Sequence, residues 1–375
     1  LCKTRGGGRD GRRTSVTGST RAAIFHGPGL PLEFRDIPLP RPTGTEVLVE
    51  VIACTLCGSD LHSLHGRRSV PLPTILGHEI LGRIHAFGPE ALKQDATGRP
   101  LRMGDRVTWG VVASCGSCFY CRRKLPQKCD RMVKYGHEAI QPGRELTGGL
   151  AGHCLLAPGT AIFAVPDDLP DAVACPANCA TATVAAALEA AGSMVGNQVL
   201  VMGAGMLGLT AAAWAGTLGA ETVIACDADP RRLELAASFG ATRATRPEQL
   251  AETVRGTTEG RGVDLVLELT GAPEAIEAAL PMVRIGGTLV LVGSVCPTRP
   301  VPIVPEQIVR RCLTLRGVHN YRPDHLGQAL AFLRSARSFP FRDLVSEWQP
   351  LEALEAVLRT PPDPNRPRLG IRLGC

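Results

Sequence analysis

The sequence predicts an α/β protein with a β-rich first part and a second part built on a doubly wound parallel sheet. Before about residue 156, short β-branched segments alternate with glycines and prolines, which keep helices out. After residue 166, apolar strands alternate with helical stretches, as in a parallel sheet with helices on both faces. A chain of 375 residues is also longer than one ordinary core requires, so two domains are expected.

The order of the elements follows from the local patterns. The β-branched segment at 47–52 predicts a strand of the first part. In the second part, strands and helices alternate, and a last strand could return to the first part. The predicted strands of that part lie at 199–202, 222–225, 263–269, 288–292 and 369–373, and the predicted helices lie at 206–218, 229–240 and 273–283.

Residues 1–20 contain five Lys or Arg against one Asp and almost nothing to bury, so a disordered arm is predicted. A basic, hydroxyl-rich transit peptide is the alternative. The arm carries most of the formal charge of +6, so the body predicts neither a nucleic-acid nor a membrane partner. Residues 190–220 lack ionisable side chains, but their glycines favour a buried strand, turn and helix over a membrane span.

Four of the fourteen cysteines have the spacing of a metal site. Cys115-x2-Cys118-x2-Cys121-x7-Cys129 can wrap one tetrahedral zinc that is closed to solvent and therefore structural. An iron–sulfur cluster is the competing metal interpretation, and free buried thiols are the alternative without metal. Because no secretory signal is recognisable, the cysteine content favours a reducing, cytoplasmic compartment over a disulfide framework.

A second group of metal donors is found in residues 57–62 and 77–79. Cys57 supplies a thiolate and His78 an imidazole, and Ser59, His62 and Glu79 lie close by in the sequence. A catalytic zinc takes three protein ligands and keeps one position open for water or substrate. Cys57 and His78 fit two of those three places.

A glycine loop follows the uncharged strand at 199–202. The motif Gly203-Ala204-Gly205-Met206-Leu207-Gly208 is a GxGxxG that opens a helix, the context in which this motif binds a dinucleotide pyrophosphate. Asp227, 24 residues after Gly203, can accept hydrogen bonds from the ribose hydroxyls and would repel a 2′-phosphate. NAD is therefore predicted over NADP, although Arg232 follows closely.

Taken together, these motifs resemble the zinc-dependent medium-chain alcohol dehydrogenases of the polyol and threonine dehydrogenase kind. The resemblance runs from about residue 21 to the C-terminus. It implies a GroES-like catalytic domain at 21–178, a Rossmann NAD-binding domain at 179–321 and a return to the catalytic domain at 322–375. It also implies an active site in the cleft between the domains and a homodimer or homotetramer.

The resemblance further implies roles for individual residues. Cys57, His78 and Cys179 would be the catalytic zinc ligands, with Cys175 as a competitor for the third place. Glu79 would be an alternate ligand or a carboxylate behind the ligands, and Asp60 would orient His78. Ser59 would take the proton of the alcohol, and His62 would pass it to solvent. With the four-cysteine loop, two zinc ions per chain are expected.

The predicted function is hydride transfer between an alcohol, or the matching carbonyl, and NAD. A zinc-independent quinone or enoyl reductase of the same fold is the alternative within enzymes, and a non-catalytic cofactor-binding relative is the alternative outside them. Polyols and alcohols bearing phosphate or phosphonate are candidate substrates. The motivation for an anionic substrate is the presence of arginines at 67–68 and 322, and residues 66–68 and 317–321 are similar to a subgroup associated with phosphonate catabolism.

Overall fold

The computed structural model describes residues 18–360 and 363–373 and has the predicted α/β architecture. The first part contains nine strands and three short helices. In chain order they are β1 (Ser19–Ile24), β2 (Glu33–Pro38), β3 (Val47–Leu56), α1 (Gly58–Leu64), β4 (Glu79–Phe87), β5 (Arg106–Trp109), β6 (Val112–Ala113), α2 (Phe119–Arg122), β7 (Val133–Lys134), β8 (His153–Leu156), β9 (Ile162–Ala164) and α3 (Asp171–Ala174).

The second part alternates helices and strands and then leads back to the first. Its elements are α4 (Ala180–Ala191), β10 (Gln198–Met202), α5 (Met206–Thr217), β11 (Thr222–Cys226), α6 (Pro230–Ser238), β12 (Arg243–Thr245), α7 (Leu250–Thr257), β13 (Val263–Glu268), α8 (Pro273–Ala279), β14 (Val283–Leu291), α9 (Pro305–Arg310), β15 (Thr314–Gly317), α10 (Pro323–Ser335), β16 (Gln349–Pro350), α11 (Leu354–Arg359) and β17 (Leu369–Arg372).

The first part is organised around β3, which pairs antiparallel with β4, β8 and β17. The seven-stranded sheet runs β16-β17-β3-β4-β5-β9, with β8 paired to β3 off that path. The pairing of Leu369 with Leu56 brings the end of the described chain back to the first sheet, as the sequence predicts. This return also carries Arg368 into the interior.

The second part is a parallel sheet of six strands in the order β12-β11-β10-β13-β14-β15. Side chains alternate along β10, so that Val199 and Val201 pack into one core and Leu200 and Met202 into another on the opposite face. The chain changes direction across the sheet between β10 and β13. Ligands of doubly wound sheets bind at such a switch point, beyond the carboxyl ends of the strands.

Several boundaries differ from the predictions; strand β3, for example, extends to Leu56, four residues beyond its predicted end. The predicted helix at 273–283 ends at Ala279 and continues only as a 3₁₀ turn, because Pro281 lacks the N–H that another helical turn requires. Strand β14 starts at Val283, five residues before the predicted start, and passes through Gly286 at φ +75°. Strand β1 begins at Ser19, inside the predicted arm; residues 1–17 of that arm lie outside the described residues.

Within the described residues, no single helix is long and apolar enough to cross a membrane. One pair of helical segments, Asp171–Asn178 and Ala180–Ala191, is long and apolar enough when the two are taken together, but the pair is bent by 54°. Most of the side chains in this pair are buried in the core that joins the two parts of the protein.

Candidate active site

Three predicted metal donors, far apart in the sequence, meet at one point. Cys57 precedes α1, His78 precedes β4, and Cys179 precedes α4. Their donor atoms all lie within 4.8 Å of one another. Zinc bonds of about 2.0–2.3 Å in a tetrahedral arrangement place ligand atoms roughly 3.5–3.8 Å apart, so the three side chains can share one ion after small adjustments.

The buried carboxylate of Asp60 holds two of these donors in place. It accepts hydrogen bonds from the backbone N–H of Cys57 at 3.0 Å, from the N–H of Gly77 at 3.2 Å and from Nδ1 of His78 at 3.1 Å. Because Nδ1 is engaged in this way, Nε2 of His78 is left as the ligand atom. Burial lowers the pKa of His78, but Asp60 outweighs it and the pKa rises to about 10, so a metal must displace a proton here.

A hydrogen bond joins the two cysteines of this group. The Sγ atoms of Cys57 and Cys179 are 3.9 Å apart, with Cys179 as the donor. This contact lowers the pKa of Cys57 well below its ordinary value, and Arg368 adds to the effect against the cost of burial. The same contact raises the pKa of Cys179. Cys57 is therefore the more readily ionised of the two thiols.

A buried ion pair lies directly behind the donors. Nε of Arg368 is 2.9 and 2.8 Å from the two carboxylate oxygens of Glu79, and Thr55 Oγ1 donates to Glu79 at 2.6 Å. The Nη2 atom of Arg368 is 3.6 Å from Cys57 Sγ. Burial raises the pKa of Glu79 to about 7, although Arg368 opposes the rise. Arg368 is a site residue that sequence reasoning missed, and no local pattern marks it.

The competing thiol of Cys175 is directed away from the donors. Its Sγ is 3.2 Å from the carbonyl of Glu79 and 3.4 Å from that of Ala53. Asn178, the residue before Cys179, binds the chain on both sides of Glu79: its Nδ2 donates to the His78 carbonyl at 3.1 Å and its Oδ1 accepts from the Ile80 N–H at 3.3 Å. Asn178 thereby fixes where the third donor lies.

The four cysteines of the second predicted metal site also come together. Their sulfur atoms lie within 4.8 Å of one another in the segment Cys115, Cys118, Cys121 and Cys129. Cys129 Sγ accepts backbone N–H bonds from Cys115 and Arg131, each at 3.3 Å. Backbone hydrogen bonding, first from Ser117, lowers the pKa of Cys115 to about 5. The spacing suits a single tetrahedral ion, whereas a four-iron cluster would hold the thiolates further apart.

The glycine loop leaves room where a pyrophosphate would lie. Gly203 has a φ of +95°, and a Cβ on Gly208 would be 1.7 Å from the carbonyl oxygen of Gly203. A Cβ on Gly205, by contrast, would meet nothing within 4 Å, so this side of the loop is open. Met206 and Leu207 form the first turn of α5. The loop therefore fits a bound dinucleotide.

Asp227 lies beside this loop at the end of β11. Its Oδ2 accepts from the Ala204 N–H at 2.7 Å and its Oδ1 from the Asp229 N–H at 2.9 Å. Nη1 of Arg232 is 3.8 Å from Oδ2. Each carboxylate oxygen keeps a free lone pair, so Asp227 can still accept from a ribose hydroxyl.

One cleft is lined both by the three metal donors and by residues beside the glycine loop. Its lining includes Ser59 and His62 from the first part and Leu207 and Thr270 from the second. The two arginine stretches that motivated an anionic substrate differ: Arg68 lines the cleft, whereas Arg67 and Arg322 are not part of its lining. Arg322 is instead paired with Glu189 and Asp324.

Comparison with known proteins gives the same picture along most of the chain. Residues 43–167 match the family model of the alcohol dehydrogenase GroES-like domain, and residues 207–335 match that of the zinc-binding dehydrogenases. The chain is 31% identical to 5-exo-hydroxycamphor dehydrogenase of Pseudomonas putida over 84% of this chain and 88% of that protein. It is also 31% identical to geraniol dehydrogenase of Castellaniella defragrans, over 91% and 95% of the two chains.

Solved structures resemble the whole fold. An alcohol dehydrogenase from Thermotoga maritima has a TM-score of 0.87 at 29% identity and covers 94% of this chain and 99% of its own. A zinc-binding dehydrogenase from Sinorhizobium meliloti, solved with NADP, has a TM-score of 0.82 at 25% identity, with 95% and 99% covered.

The ion pair behind the donors gives a stability prediction. Replacing Arg368 by Met leaves the fully buried Glu79 carboxylate without its cation, and we expect a loss of about 3–5 kcal/mol in unfolding free energy. Adding Glu79→Gln should recover much of the loss, since no charge is then buried. Urea denaturation of the metal-loaded protein measures both. Arg359→Met, which removes the exposed pair with Glu355, is the control and should change nothing measurable. A loss no larger than that of the control would contradict the assignment.

The glycine loop gives a second prediction. Gly205→Ala should leave the melting temperature unchanged and weaken NAD binding by about tenfold or more, because the methyl group enters the space left for the pyrophosphate. Gly208→Ala should lower the melting temperature, since its methyl group collides with the Gly203 carbonyl. Thermal unfolding and a fluorescence titration with NADH separate the two effects. Equal NADH affinity in Gly205→Ala and wild type would contradict the placement of the pyrophosphate.

Proposed function

Since the chain belongs to the zinc-binding medium-chain alcohol dehydrogenase family, we propose that it oxidises an alcohol with NAD at a zinc held by Cys57, His78 and Cys179. The proposal rests mainly on the shared cleft, which is lined both by the three metal donors and by Leu207 of the glycine loop. Relatives named for hydroxycamphor, geraniol and L-threonine differ widely in substrate, so the family sets the reaction and not the alcohol.

The chain's own residues supply the proton path. When bound, zinc supplies a Lewis acid with one open position and NAD supplies the hydride acceptor. Ser59 Oγ is 3.4 Å from His78 Nε2, so it can take the hydroxyl proton of an alcohol bound beside the donors. Partial burial lowers the pKa of His62, with Arg67 adding to the effect, which keeps the ring neutral and able to accept a proton near pH 7.

The path from Ser59 to His62 is completed by the cofactor in this proposal. No hydrogen bond joins the two side chains among the described residues, although both line the cleft. A ribose hydroxyl of the dinucleotide is the group that would bridge them. Glu79 acts behind the ligands and not as one of them, because its carboxylate is held by Arg368 and Thr55.

The proposal includes a second zinc at Cys115, Cys118, Cys121 and Cys129, as a structural ion. It also includes a cytoplasmic homodimer or homotetramer acting on a small molecule. The exposed apolar side chains near the free edge of β15, such as Ile285 and Val309, support an assembly through that edge.

A zinc-independent reductase of the same fold is disfavoured by the two donor clusters, and metal content tests it. We expect about two zinc ions per chain in wild type, one in Cys179→Ala with turnover lost, and two in the control Cys175→Ala. Elemental analysis and an assay of NADH formation across an alcohol panel measure these outcomes. Full zinc content and turnover in Cys179→Ala would overturn the assignment of the third ligand.

The preference for NAD is tested at Asp227. Replacing Asp227 by Ser removes the charge that repels a 2′-phosphate and frees Arg232 to contact it, so the ratio of kcat/KM for NAD over NADP should fall by about tenfold or more. Asp229→Ser keeps a helix-capping side chain and is the control with an unchanged ratio. A wild-type enzyme that prefers NADP would refute this part of the proposal.

A further inference from the structure

One wall of the cleft is basic and has no acidic partner. Arg68, Lys134, His137 and His319 all line the cleft that contains the metal donors. Among the described residues, no carboxylate oxygen lies within 4.0 Å of the side-chain nitrogens of Arg68 or Lys134. Elsewhere in the protein, the buried guanidiniums of Arg106 and Arg368 each have a carboxylate partner, Asp171 and Glu79. Two cations without a carboxylate partner therefore lie together in the place where a substrate would lie.

His137 orients Arg68 in this wall. Nδ1 of His137 is 2.9 Å from the carbonyl oxygen of Tyr135, and Nη1 of Arg68 is 2.7 Å from Nε2. A carbonyl can only accept and a guanidinium can only donate, so Nδ1 carries the proton and the ring is neutral. The His137 ring is 5.1 Å from the ring of His78. The Arg68 guanidinium is thus held one imidazole away from a metal donor.

His319 contributes a donor from the opposite domain. Nζ of Lys128 is 2.6 Å from Nδ1 of His319, and because an ammonium can only donate, Nε2 must carry the proton of a neutral ring. Partial loss of hydration lowers the pKa of His319 to about 4, with Lys134 and Lys128 adding to the effect, in agreement with that state. The wall thus combines two cations, Arg68 and Lys134, with one imidazole N–H that can donate, and Lys128 lies outside the cleft lining.

The acidic groups nearby do not balance these charges. Asp60 is turned toward His78 and the backbone, and Glu79 is neutralised by Arg368. Glu138 accepts from the backbone N–H of Lys134 but lines a different pocket. A divalent zinc with two thiolates is neutral overall and offsets nothing. A half-buried, unpaired ammonium is costly, and burial indeed lowers the pKa of Lys134 to about 8.

We propose that the alcohol oxidised at this site carries an anionic group, a phosphoryl or carboxylate, which Arg68 and Lys134 bind across the cleft from the glycine loop. This inference rests on the proposed function, because it names the substrate class of the same site. Of the arginines at 67–68 and 322 that suggested an anion from the sequence, it keeps Arg68 only: Arg67 and Arg322 do not line the cleft, and Arg322 has two carboxylate partners of its own. An ammonium on the substrate is disfavoured by the same wall.

The test compares pairs of alcohols in which one member carries an anionic group that the other lacks. The pairs are glycerol 3-phosphate with glycerol and 4-hydroxybutyrate with 1-butanol, assayed by NADH formation with wild type, Arg68→Gln and Lys134→Gln. We expect kcat/KM to be higher for the anionic member of at least one pair and to fall by about tenfold or more in each variant. Values for the neutral member should change by less than about threefold. The pair with the larger effect tells phosphoryl from carboxylate.

Arg359→Gln is the control, because Arg359 is exposed, lies outside the cleft and has no part in the proposed proton path. It should leave both members of each pair unchanged. If Arg68→Gln and Lys134→Gln lower anionic and neutral alcohols equally, or lower neither, the inference is overturned while the proposed function stands.

A binding measurement keeps the inference testable without turnover. At saturating NAD, glycerol 3-phosphate or 4-hydroxybutyrate should raise the melting temperature of wild type and of Arg359→Gln, and should raise that of Arg68→Gln and Lys134→Gln much less. If no alcohol is oxidised, the proposed function fails, and the thermal shift alone decides whether the wall binds anions. Equal shifts in all four proteins, or none in any, would overturn the inference.

Discussion

The buried carboxylate of Asp60 is the constraint on which the site depends. It binds the N–H of Cys57 at the start of α1, the N–H of Gly77 and the ring of His78 at the start of β4. One side chain therefore sets the distance between two metal donors that are 21 positions apart in the sequence. Because the side chain of Asp60 is fully buried, its charge is stabilised only by these three hydrogen bonds. Losing any one of them would leave the buried carboxylate poorly compensated.

The third donor is tied to the same point from the other side of the cleft. Asn178 binds the carbonyl of His78 and the N–H of Ile80, and Tyr321 contacts the carbonyl of Asn178 while accepting from the N–H of Val111 at 3.2 Å. These bonds connect the first sheet with the segment after β15. These hydrogen bonds therefore fix the position of Cys179 relative to Cys57 and His78.

The sequence predicted the features that local spacing encodes. The α/β fold class, the family resemblance and the order of strands and helices are confirmed, because periodicity and glycine position decide them within short windows. The clustering of Cys57, His78 and Cys179 also agrees with the prediction. Arg368 was missed because it contacts Glu79 across 289 positions, a distance at which no sequence pattern operates. Of the arginines that suggested an anionic substrate, only Arg68 lines the cleft, because the direction of a side chain depends on tertiary packing that no local pattern encodes.

A buried charge needs a partner of opposite charge, and this rule applies on both sides of the metal donors. Behind them, the buried charge of Glu79 is matched by Arg368, so the protein completes that balance by itself. In front of them, Arg68 and Lys134 face the cleft with no carboxylate partner among the described residues. Compensation of the positive charges of Arg68 and Lys134 is therefore left to a bound molecule. An anionic group on the substrate, as proposed above, would supply that negative charge when it binds.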